Sequence, residues 1–423
     1  MGVVKLCGRQ SGINSYVIVT SYSFSTMTTK VRLAILSSHP IQYYAPVFRA
    51  LAQCANVEPR VFYTWSQTAD EQISDPGFSI ALRWDIPLLE GYGYEFVPNV
   101  ASDPGTHHFW GLRNPTLLRA IARWKPHALL VYGWNYWSHL RAIMYFNHRL
   151  PVLFRGDSTL LDEHSRLRAH ARRRLLRWVY SHIDMALAVG QNNRDYFLWC
   201  GVPEERVAFV PHSIDTRRFS ASDAGYEERA AEWRRQLRIG SAEIAIVFAG
   251  KLQPKKDPLL LLNAFQQLAA ANIHLLFVGN GVLESDLRRR AEGNSRVHFM
   301  PFQNQSLMPA VYRIGELFVL PSRGPGETWG LALNEAMASG RAVIASSKVG
   351  GARDLIYADV NGWIFEAGSP TGLAALLRIA SQKGREELLK MGEAGRQIIA
   401  EWSTDAAARA IAKAALSQCA ITP

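Results

Sequence analysis

The segment EIAIVFAGKLQPKKDPLLLLNAFQQLAAANIHLLFVGNG, residues 243–281, decides the fold class of this chain. It begins with a short apolar run that ends at Gly250 and continues into a helical leucine pattern at 258–271. A second apolar run at 273–281 then ends in glycines. Short apolar strands that alternate with helices are typical of parallel βαβ units. Because this alternation fills most of the chain, we predict an α/β fold.

The alternation occurs twice, on either side of a polar and charged stretch at residues 213–241. A chain of 423 residues exceeds one typical domain of about 100–200 residues. We therefore predict two Rossmann-like domains that face each other across a cleft. The predicted segments are an extension at 1–29, an N-terminal acceptor-side domain at 30–212, a C-terminal nucleotide-sugar-binding domain at 213–400 and a C-terminal helix at 401–423.

The two terminal segments of the chain differ in composition and therefore in predicted structure. Residues 1–29 are polar and weakly apolar by turns and make a poor signal peptide, so we expect a disordered extension or a misassigned start before Met27. The last residues are rich in alanine, which predicts a helix that could pack back across the first domain.

Composition indicates a protein of the reducing cytoplasm. Hydrophobic residues make up 48% and charged residues 20% of the chain, and its four cysteines are scattered without metal or redox spacing. No apolar run approaches the roughly 18–20 residues that a membrane span needs. The formal net charge of +11 leaves nucleic acid, an anionic membrane surface and an anionic substrate as partner classes.

Part of the positive charge lies in one segment, RLRAHARRRLLRW at residues 166–178. Six arginines alternate there with leucines and a tryptophan, which predicts a helix with a basic face beside an apolar stripe. Such a helix is either a solvated surface helix or one that touches anionic lipid head groups or an anionic acceptor. The second interpretation would place a cytoplasmic protein peripherally on the inner face of the membrane.

The segment LPSRGPGETWGLALNEAMASGRAVIAS, residues 320–346, is the most informative about chemistry. An apolar strand runs into a loop that contains Glu327, and Gly330 lies near the start of the next helix. Bare backbone N–H groups at a helix start bind anions such as phosphate. Glu335 lies within the helix, where a carboxylate could accept hydrogen bonds from two ribose hydroxyls. Both glutamates could equally be ordinary helix and loop residues.

A second segment, GKLQPKKD at residues 250–257, also follows an apolar strand. Lys251 and Lys256 lie five positions apart in this loop, where two ammonium groups could neutralise a diphosphate. Solvated surface lysines are the alternative. Loops at the C-terminal ends of strands are where open α/β sheets bind ligands, so the two segments together predict one anion site.

These two segments resemble the family-4 retaining glycosyltransferases of GT-B fold. Glu327 and Glu335 match two glutamates of that family that are separated by seven residues. Lys256 matches the family's lysine, whereas Lys251 stands where the family usually has arginine. The segments at 37–51, 189–215 and 349–365 are similar too, so the resemblance covers about residues 31–400.

The resemblance implies a role for each matched residue. Lys251 and Lys256 would hold the donor diphosphate and stabilise the leaving group, and Glu327 would bind the transferred sugar. The implied catalytic residues are Lys251, Lys256 and Glu327, and the implied donor-binding residues are Lys251, Lys256, Glu327, Thr328, Trp329, Gly330, Leu331 and Glu335. No metal and no cofactor is expected, and the donor would be a UDP- or GDP-sugar. The acceptor would be a glycan or a lipid-linked sugar, as in polysaccharide biosynthesis.

The N-terminal half departs from the family's pattern. The first strand leads into Ser37, Ser38, His39 and Pro40 instead of a glycine-rich loop, and no histidine follows the strand near Arg155. The sequence YGWNYWSH at 132–139 offers aromatic faces that could stack on a sugar or hold a lipid chain. The acceptor-side candidates are His39, Arg155, Asp157, Trp134 and Trp137, and each has a purely structural alternative.

Three competing functions remain open at the level of sequence. A nucleotide-sugar epimerase of the same fold would act without a separate acceptor. A nucleic-acid-binding protein is disfavoured because no recognition module is found and the basic residues lie chiefly on one helix. A nicotinamide-linked oxidoreductase is disfavoured because no G-x-G-x-x-G motif opens a helix after a strand.

Overall fold

The computed structural model describes residues 30–66, 73–75, 80–162, 166–222, 225–268 and 272–421. The prediction made for residues 1–29 therefore lies outside the described residues. The strands of the first half are β1 (Val31–Ser37), β2 (Val57–Tyr63), β3 (Ile73–Asp75), β4 (Ile80–Leu82), β5 (Gly93–Phe96), β6 (Ala128–Tyr132), β7 (Val152–Arg155), β8 (Met185–Ala188) and β9 (Val207–Phe209). Those of the second half are β10 (Ile244–Ala249), β11 (Ile273–Val278), β12 (Val297–Met300), β13 (Leu317–Leu320), β14 (Ala342–Ser346) and β15 (Gly362–Phe365).

These strands form two parallel sheets, which confirms the predicted architecture of two Rossmann-like domains. The first sheet has seven strands in the order β5-β2-β1-β6-β7-β8-β9, and the second has six in the order β12-β11-β10-β13-β14-β15. Strands β3 and β4 form a separate antiparallel hairpin. In each large sheet the strand order reverses beside the first strand, β1 or β10, and such switch points open a crevice at the C-terminal ends of the strands.

Apolar strand sequences explain why both sheets lie inside the protein. All six residues of β10 and all five of β6 are buried, as parallel sheets covered by helices on both faces require. The helices of the first half are α1 (Ala45–Ala52), α2 (Leu117–Arg123), α3 (Trp137–Phe146), α4 (Arg166–Tyr180) and α5 (Gln191–Trp199). The later ones are α6 (Thr216–Ser220), α7 (Tyr226–Gln236), α8 (Pro258–Gln266), α9 (Glu284–Arg290), α10 (Met308–Arg313), α11 (Leu331–Ala338), α12 (Ala352–Leu355), α13 (Pro370–Ile399, broken at Gly384) and α14 (Thr404–Ile421).

The chain returns to the first domain through its last helix. Ala407, Ala408 and Ile411 of α14 are buried in the same apolar cluster as Leu33 of β1 and Phe48 of α1. The alanines present little bulk, so α14 can approach the first domain closely. The two sheets are therefore linked at two places, through α6 and α7 after β9 and through α13 and α14.

Polar contacts also join the two halves across the cleft. The Asn334 side-chain amide donates to the His212 carbonyl oxygen at 2.9 Å, and the backbone N–H of Gly326 donates to the Asp162 carboxylate at 2.7 Å. These contacts place the C-terminal ends of the two sets of strands opposite each other.

The basic segment forms helix α4, and its apolar side chains lie on two sides of the helix. Leu176, Val179 and Tyr180 are buried in the first domain, whereas Leu175 and Trp178 are 50% and 44% exposed. The register of the helix turns these two apolar side chains outward among exposed arginines, because only one side of the helix meets the domain. The exposed pair gives α4 apolar side chains beside its basic face, as the sequence predicts, and contact of this surface with lipid stays a prediction.

Candidate active site

A cavity of about 400 Å³ lies between the two domains at the C-terminal ends of the second sheet. Residues from loops that are far apart in sequence meet there, because parallel strands deliver their following loops to one edge. All eight residues predicted to bind the donor line this cavity: Lys251, Lys256, Glu327, Thr328, Trp329, Gly330, Leu331 and Glu335.

The lysine loop and the glutamate loop touch directly. The Lys256 ammonium lies 2.6 Å from the Oε2 atom of Glu327, which also accepts from the Ser322 hydroxyl at 3.0 Å. Glu327 is 7% exposed, so this pair is largely removed from water. Lys255, between the two predicted lysines, donates to the Gly326 carbonyl oxygen at 2.6 Å and does not line the cavity. Burial lowers the pKa of Lys255.

Helix α11 begins at the wall of the cavity, so its N-terminal residues line the cavity. Gly330 precedes the helix with a φ of 91°, a conformation that strongly favours glycine. A Cβ atom there would lie 2.6 Å from Val349, so the close packing also requires glycine. Gly330, Leu331 and Ala332 line the cavity, which brings the first-turn N–H groups and the positive end of the helix dipole to it.

Glu335 lies one turn into α11 and is 2% exposed. The Tyr312 hydroxyl donates to its Oε2 atom at 2.7 Å, while its Oε1 atom is buried without a hydrogen-bond partner among the described residues. Burial raises the pKa of Glu335, and the bond from Tyr312, the charge of Arg218 and the nearby Tyr43 hydroxyl oppose that rise. A buried acceptor atom without a partner at a cavity wall is suited to a ligand that brings hydroxyl groups.

Glu335→Gln is expected to stabilise the free protein at neutral pH by about 1 kcal/mol, because it removes a buried charge. The sign follows from the raised pKa of Glu335. The favourable protonated form is present at low pH and is lost as the pH rises through that pKa. Thermal unfolding followed by circular dichroism should give a higher Tm for Glu335→Gln at pH 7.5 and a difference that shrinks at lower pH. A lower Tm at every pH would contradict this explanation.

Thr328 and Trp329 connect the glutamate loop to its surroundings. The Thr328 hydroxyl donates to the Asp157 carboxylate at 2.7 Å, which links the loop to the N-terminal domain. The Trp329 indole is buried and donates to Asn334 at 2.9 Å, with its ring 5.0 Å from that of Trp402. The side chain of Trp329 therefore holds the loop in place, and its backbone is the part that could meet a ligand.

The acceptor-side candidates His39, Arg155 and Asp157 meet in a smaller cavity of about 190 Å³. Burial lowers the pKa of His39 to about 4, so its ring is neutral at ordinary pH. The Arg155 guanidinium donates to the carbonyl oxygens of Val210 and Pro211 at 2.9 and 3.0 Å, which gives it a structural role. Asp157 lines both this cavity and the larger one, so it lies where the two meet.

The two tryptophan candidates point in different directions. Trp134 packs against the core of the first domain and lines a third cavity of about 300 Å³, together with Asp157 and Arg172. Trp137 begins α3, is 38% exposed and lies 5.3 Å from the Trp110 ring, and it lines none of the three cavities described here. The structure therefore does not bring Trp137 together with the other acceptor candidates.

Sequence reasoning missed several residues that line the large cavity. Gln42, Tyr43 and Trp84 reach it from the first domain, and His212 lies between the large and small cavities. Burial lowers the pKa of His212 to about 3, so this histidine is neutral too. Its segment VPHSID was already part of the family resemblance, and its position at the end of the first domain was the signal that could have identified it.

Among the described residues, one group of three side chains could hold a metal ion: Asp103, His107 and His108. The two histidine Nε2 atoms lie 3.1 and 3.3 Å from one carboxylate oxygen of Asp103. The group lies on a surface loop, and none of its members lines the three cavities described above.

Two family models match the chain, one in each half. The model described as glycosyltransferase family 4 matches residues 47–218, and the model described as glycosyl transferases group 1 matches residues 230–398. A D-inositol 3-phosphate glycosyltransferase from Geodermatophilus obscurus is 31% identical over 206 residues, which covers 45% of this chain and 43% of that protein. The chain spans about half the length of the curated relatives that it matches.

Solved structures extend the likeness to nearly the whole chain. Alr3699/HepE from Anabaena, solved in complex with UDP, has a TM-score of 0.68 at 18% identity and covers 92% of this chain and 100% of its own. A glycosyltransferase from Rickettsia africae has a TM-score of 0.69 at 14% identity and covers 93% and 100%. Identities this low show the shared fold, and the family models match the sequence of both halves. The chain belongs to the family-4 glycosyltransferases of GT-B fold.

Proposed function

We propose that this protein transfers a sugar from a UDP- or GDP-sugar to a glycan or lipid-linked acceptor, with retention of the anomeric configuration. The observation that supports this most is the shared cavity of the lysine loop, the α11 N-terminus and Glu335. It offers positive charge for a diphosphate and a buried acceptor atom for ribose hydroxyls within one space of about 400 Å³. The HepE structures, which contain UDP or UDP-glucose, belong to a protein of the same fold.

In this proposal the donor's diphosphate lies between the lysine loop and the start of α11. Lys251, Lys256 and the N–H groups of Gly330 and Leu331 stabilise the negative charge that develops on the leaving group. Because these groups supply the positive charge, the proposed reaction does not depend on a divalent metal. Lys256 then exchanges its present partner, Glu327, for phosphate oxygens.

The bond changes balance without a protein nucleophile. The bond between the sugar C1 atom and the β-phosphate oxygen breaks, and the acceptor hydroxyl oxygen bonds to C1 on the same face. The hydroxyl proton passes to the leaving phosphate. Glu327, released from Lys256, accepts hydrogen bonds from hydroxyls of the transferred sugar. Asp157 accepts a hydrogen bond from Thr328, the residue after Glu327, and also lines the cavity proposed for the acceptor.

We place the acceptor in the N-terminal domain, where two smaller cavities adjoin Asp157. Helix α4 borders one of them through Arg172, and its outer surface exposes Arg174, Leu175, Arg177 and Trp178. Apolar side chains among arginines suit an anionic lipid surface. Within the described ranges, every helix is too short or too polar to span a bilayer. From the exposed arginines and apolar side chains of α4, we propose a cytoplasmic enzyme that binds the inner face of the membrane peripherally.

The double variant Leu175→Ser/Trp178→Ser is expected to bind vesicles containing anionic lipid about tenfold more weakly, because two apolar side chains no longer enter the interface. Vesicle co-sedimentation at fixed ionic strength measures this. Val282→Ser serves as the control, because Val282 is an exposed apolar residue of the other domain. Equal binding by the double variant and the wild type would remove α4 from the membrane proposal.

The function is tested by following nucleoside diphosphate release from UDP- and GDP-sugars with and without acceptor glycans. Release that requires an acceptor, together with a product of unchanged anomeric configuration by NMR, supports the proposal. Sugar isomerisation without an acceptor would favour an epimerase instead. Release from none of the donors would contradict both.

A further inference from the structure

A segment of the N-terminal domain reaches across the cleft to the C-terminal domain. The Asn304 amide donates to the Arg83 carbonyl oxygen at 2.6 Å, and the Ser306 backbone N–H donates to the Asp85 carboxylate at 3.0 Å. The Ser306 hydroxyl donates to the other oxygen of the same carboxylate. Trp84 therefore lies between two residues that are both bound to the loop after β12, and we name residues 83–85 the Trp84 segment.

Trp84 lines one particular end of the large cavity. The sheet order places β11 and β12 on the side of β10 that is opposite to β13. The lysine loop follows β10 and the glutamate loop follows β13, whereas Gly279 follows β11 and Phe302 follows β12. The Trp84 segment is bound to residues 304 and 306, so Trp84 lies at the β12 end of the cavity. The residues proposed to bind the diphosphate follow β10 and β13, away from this end.

The shape of a nucleotide determines what occupies that end. Ribose carries the diphosphate at its 5′ carbon and the base at its 1′ carbon, so the base projects away from the diphosphate. With the diphosphate at Lys251 and Lys256 and the ribose at Glu335, the base extends toward the ends of β11 and β12. Gly279 lines the cavity there, and its φ of 131° and a Cβ that would lie 2.2 Å from the Gly250 carbonyl oxygen both require glycine at this position. A wall without side-chain bulk leaves room for a flat ring.

We propose that Trp84 covers the base of the donor nucleotide and that the contact between Asp85 and Ser306 holds it in place. This inference rests on the proposed function and adds a contribution of the first domain to donor binding. An indole face stacks on any nucleobase, which gives affinity with little selectivity between bases. Because Trp84 belongs to the opposite domain, donor binding also favours the closed arrangement of the two domains.

Calorimetric titration with UDP, GDP and inorganic diphosphate tests the role of Trp84. Trp84→Ala should weaken binding of the preferred nucleoside diphosphate by about tenfold or more. Binding of inorganic diphosphate, which has no base, should stay within about twofold of wild type. Trp84→Phe, which keeps an aromatic face, should retain most of the affinity. Trp110→Ala is the matched control, because Trp110 is exposed and outside the cavity.

The contact that holds Trp84 is tested separately by Asp85→Ala and Ser306→Ala, whose side chains are at least partly exposed. Asp85→Ala removes both bonds and should weaken nucleotide binding more than Ser306→Ala, which keeps the backbone bond of Ser306. The double variant should be no weaker than Asp85→Ala, because that change already removes the whole contact. Wild-type nucleotide affinity in Trp84→Ala, or in both contact variants if Trp84→Ala does not fold, would overturn the inference. If the wild-type protein binds neither UDP nor GDP, both the proposed function and the role of Trp84 are contradicted. Unchanged nucleotide binding in the variants contradicts the role of Trp84 alone.

Discussion

Lys256→Ala is expected to lower kcat for sugar transfer by about 10²–10³-fold, the usual loss when one group that stabilises developing negative charge is removed. The Lys256 ammonium lies 2.6 Å from Glu327, and Lys256 lines the same cavity as the α11 N-terminus, where we propose that both hold one diphosphate. Because the leaving group gains charge in the transition state, kcat should fall more than donor affinity. Steady-state rates over a range of donor concentrations, at saturating acceptor, give kcat and the donor KM separately.

Loss of Lys256 also leaves the Glu327 carboxylate without its ion-pair partner, which should destabilise the protein by about 1–3 kcal/mol. Lys256→Ala/Glu327→Gln should recover much of this stability without recovering activity. Lys383→Ala is the control for loss of one positive charge, because Lys383 of helix α13 pairs with Asp359 and lies outside the cavity. Folded Lys256→Ala enzyme with near-wild-type kcat would contradict the assigned role.

Glu335→Ala is expected to weaken nucleotide binding by more than tenfold, about 1.4 kcal/mol. The physical reason is the unpartnered Oε1 atom, which is positioned to accept from ribose hydroxyls, and bonds to a charged acceptor are stronger than neutral ones. Calorimetry with UDP or GDP measures the loss. The same substitution should leave binding of the 2′,3′-dideoxy nucleotide almost unchanged, because that ligand has no ribose hydroxyl to donate.

The nucleotides with and without ribose hydroxyls, measured against wild type and Glu335→Ala, form a double-mutant cycle. This cycle isolates the contact between Glu335 and the ribose hydroxyls. Tyr312→Phe is a second control, because it removes the donor to Oε2 and leaves Oε1 unaltered. An equal loss for the ribose and dideoxy nucleotides would mean that Glu335 acts only by shaping the cavity.

The donor half of the site was predictable from sequence for a physical reason. Its side chains sit in two loops, each directly after a buried strand, and parallel strands bring such loops to one sheet edge. The spacing of Lys251 and Lys256, and of Glu327 and Glu335, therefore corresponds to positions in one cavity. The structure places all four there, and their roles stay predictions.

The acceptor half was less predictable, because its side chains are placed by long-range packing. Arg155 bonds to carbonyl oxygens 55 and 56 positions away, which no local pattern indicates. Trp137 starts a helix and turns outward beside Trp110, although it follows the same strand as Trp134. Trp84 reaches the donor cavity only because its segment bonds to residues 221 positions later.

Calorimetric titration of wild type, Glu335→Ala and Lys256→Ala with UDP, GDP, ADP and TDP tests the central claim, that the cavity of the second domain holds the donor nucleotide. We predict that at least one nucleotide binds wild type. At a hundredfold excess over Kd it should stabilise the folded protein by about 2.7 kcal/mol, which thermal unfolding would show as a higher Tm. Both variants should bind that nucleotide more weakly. Absence of binding by all four nucleotides, or binding that neither substitution alters, would contradict the account.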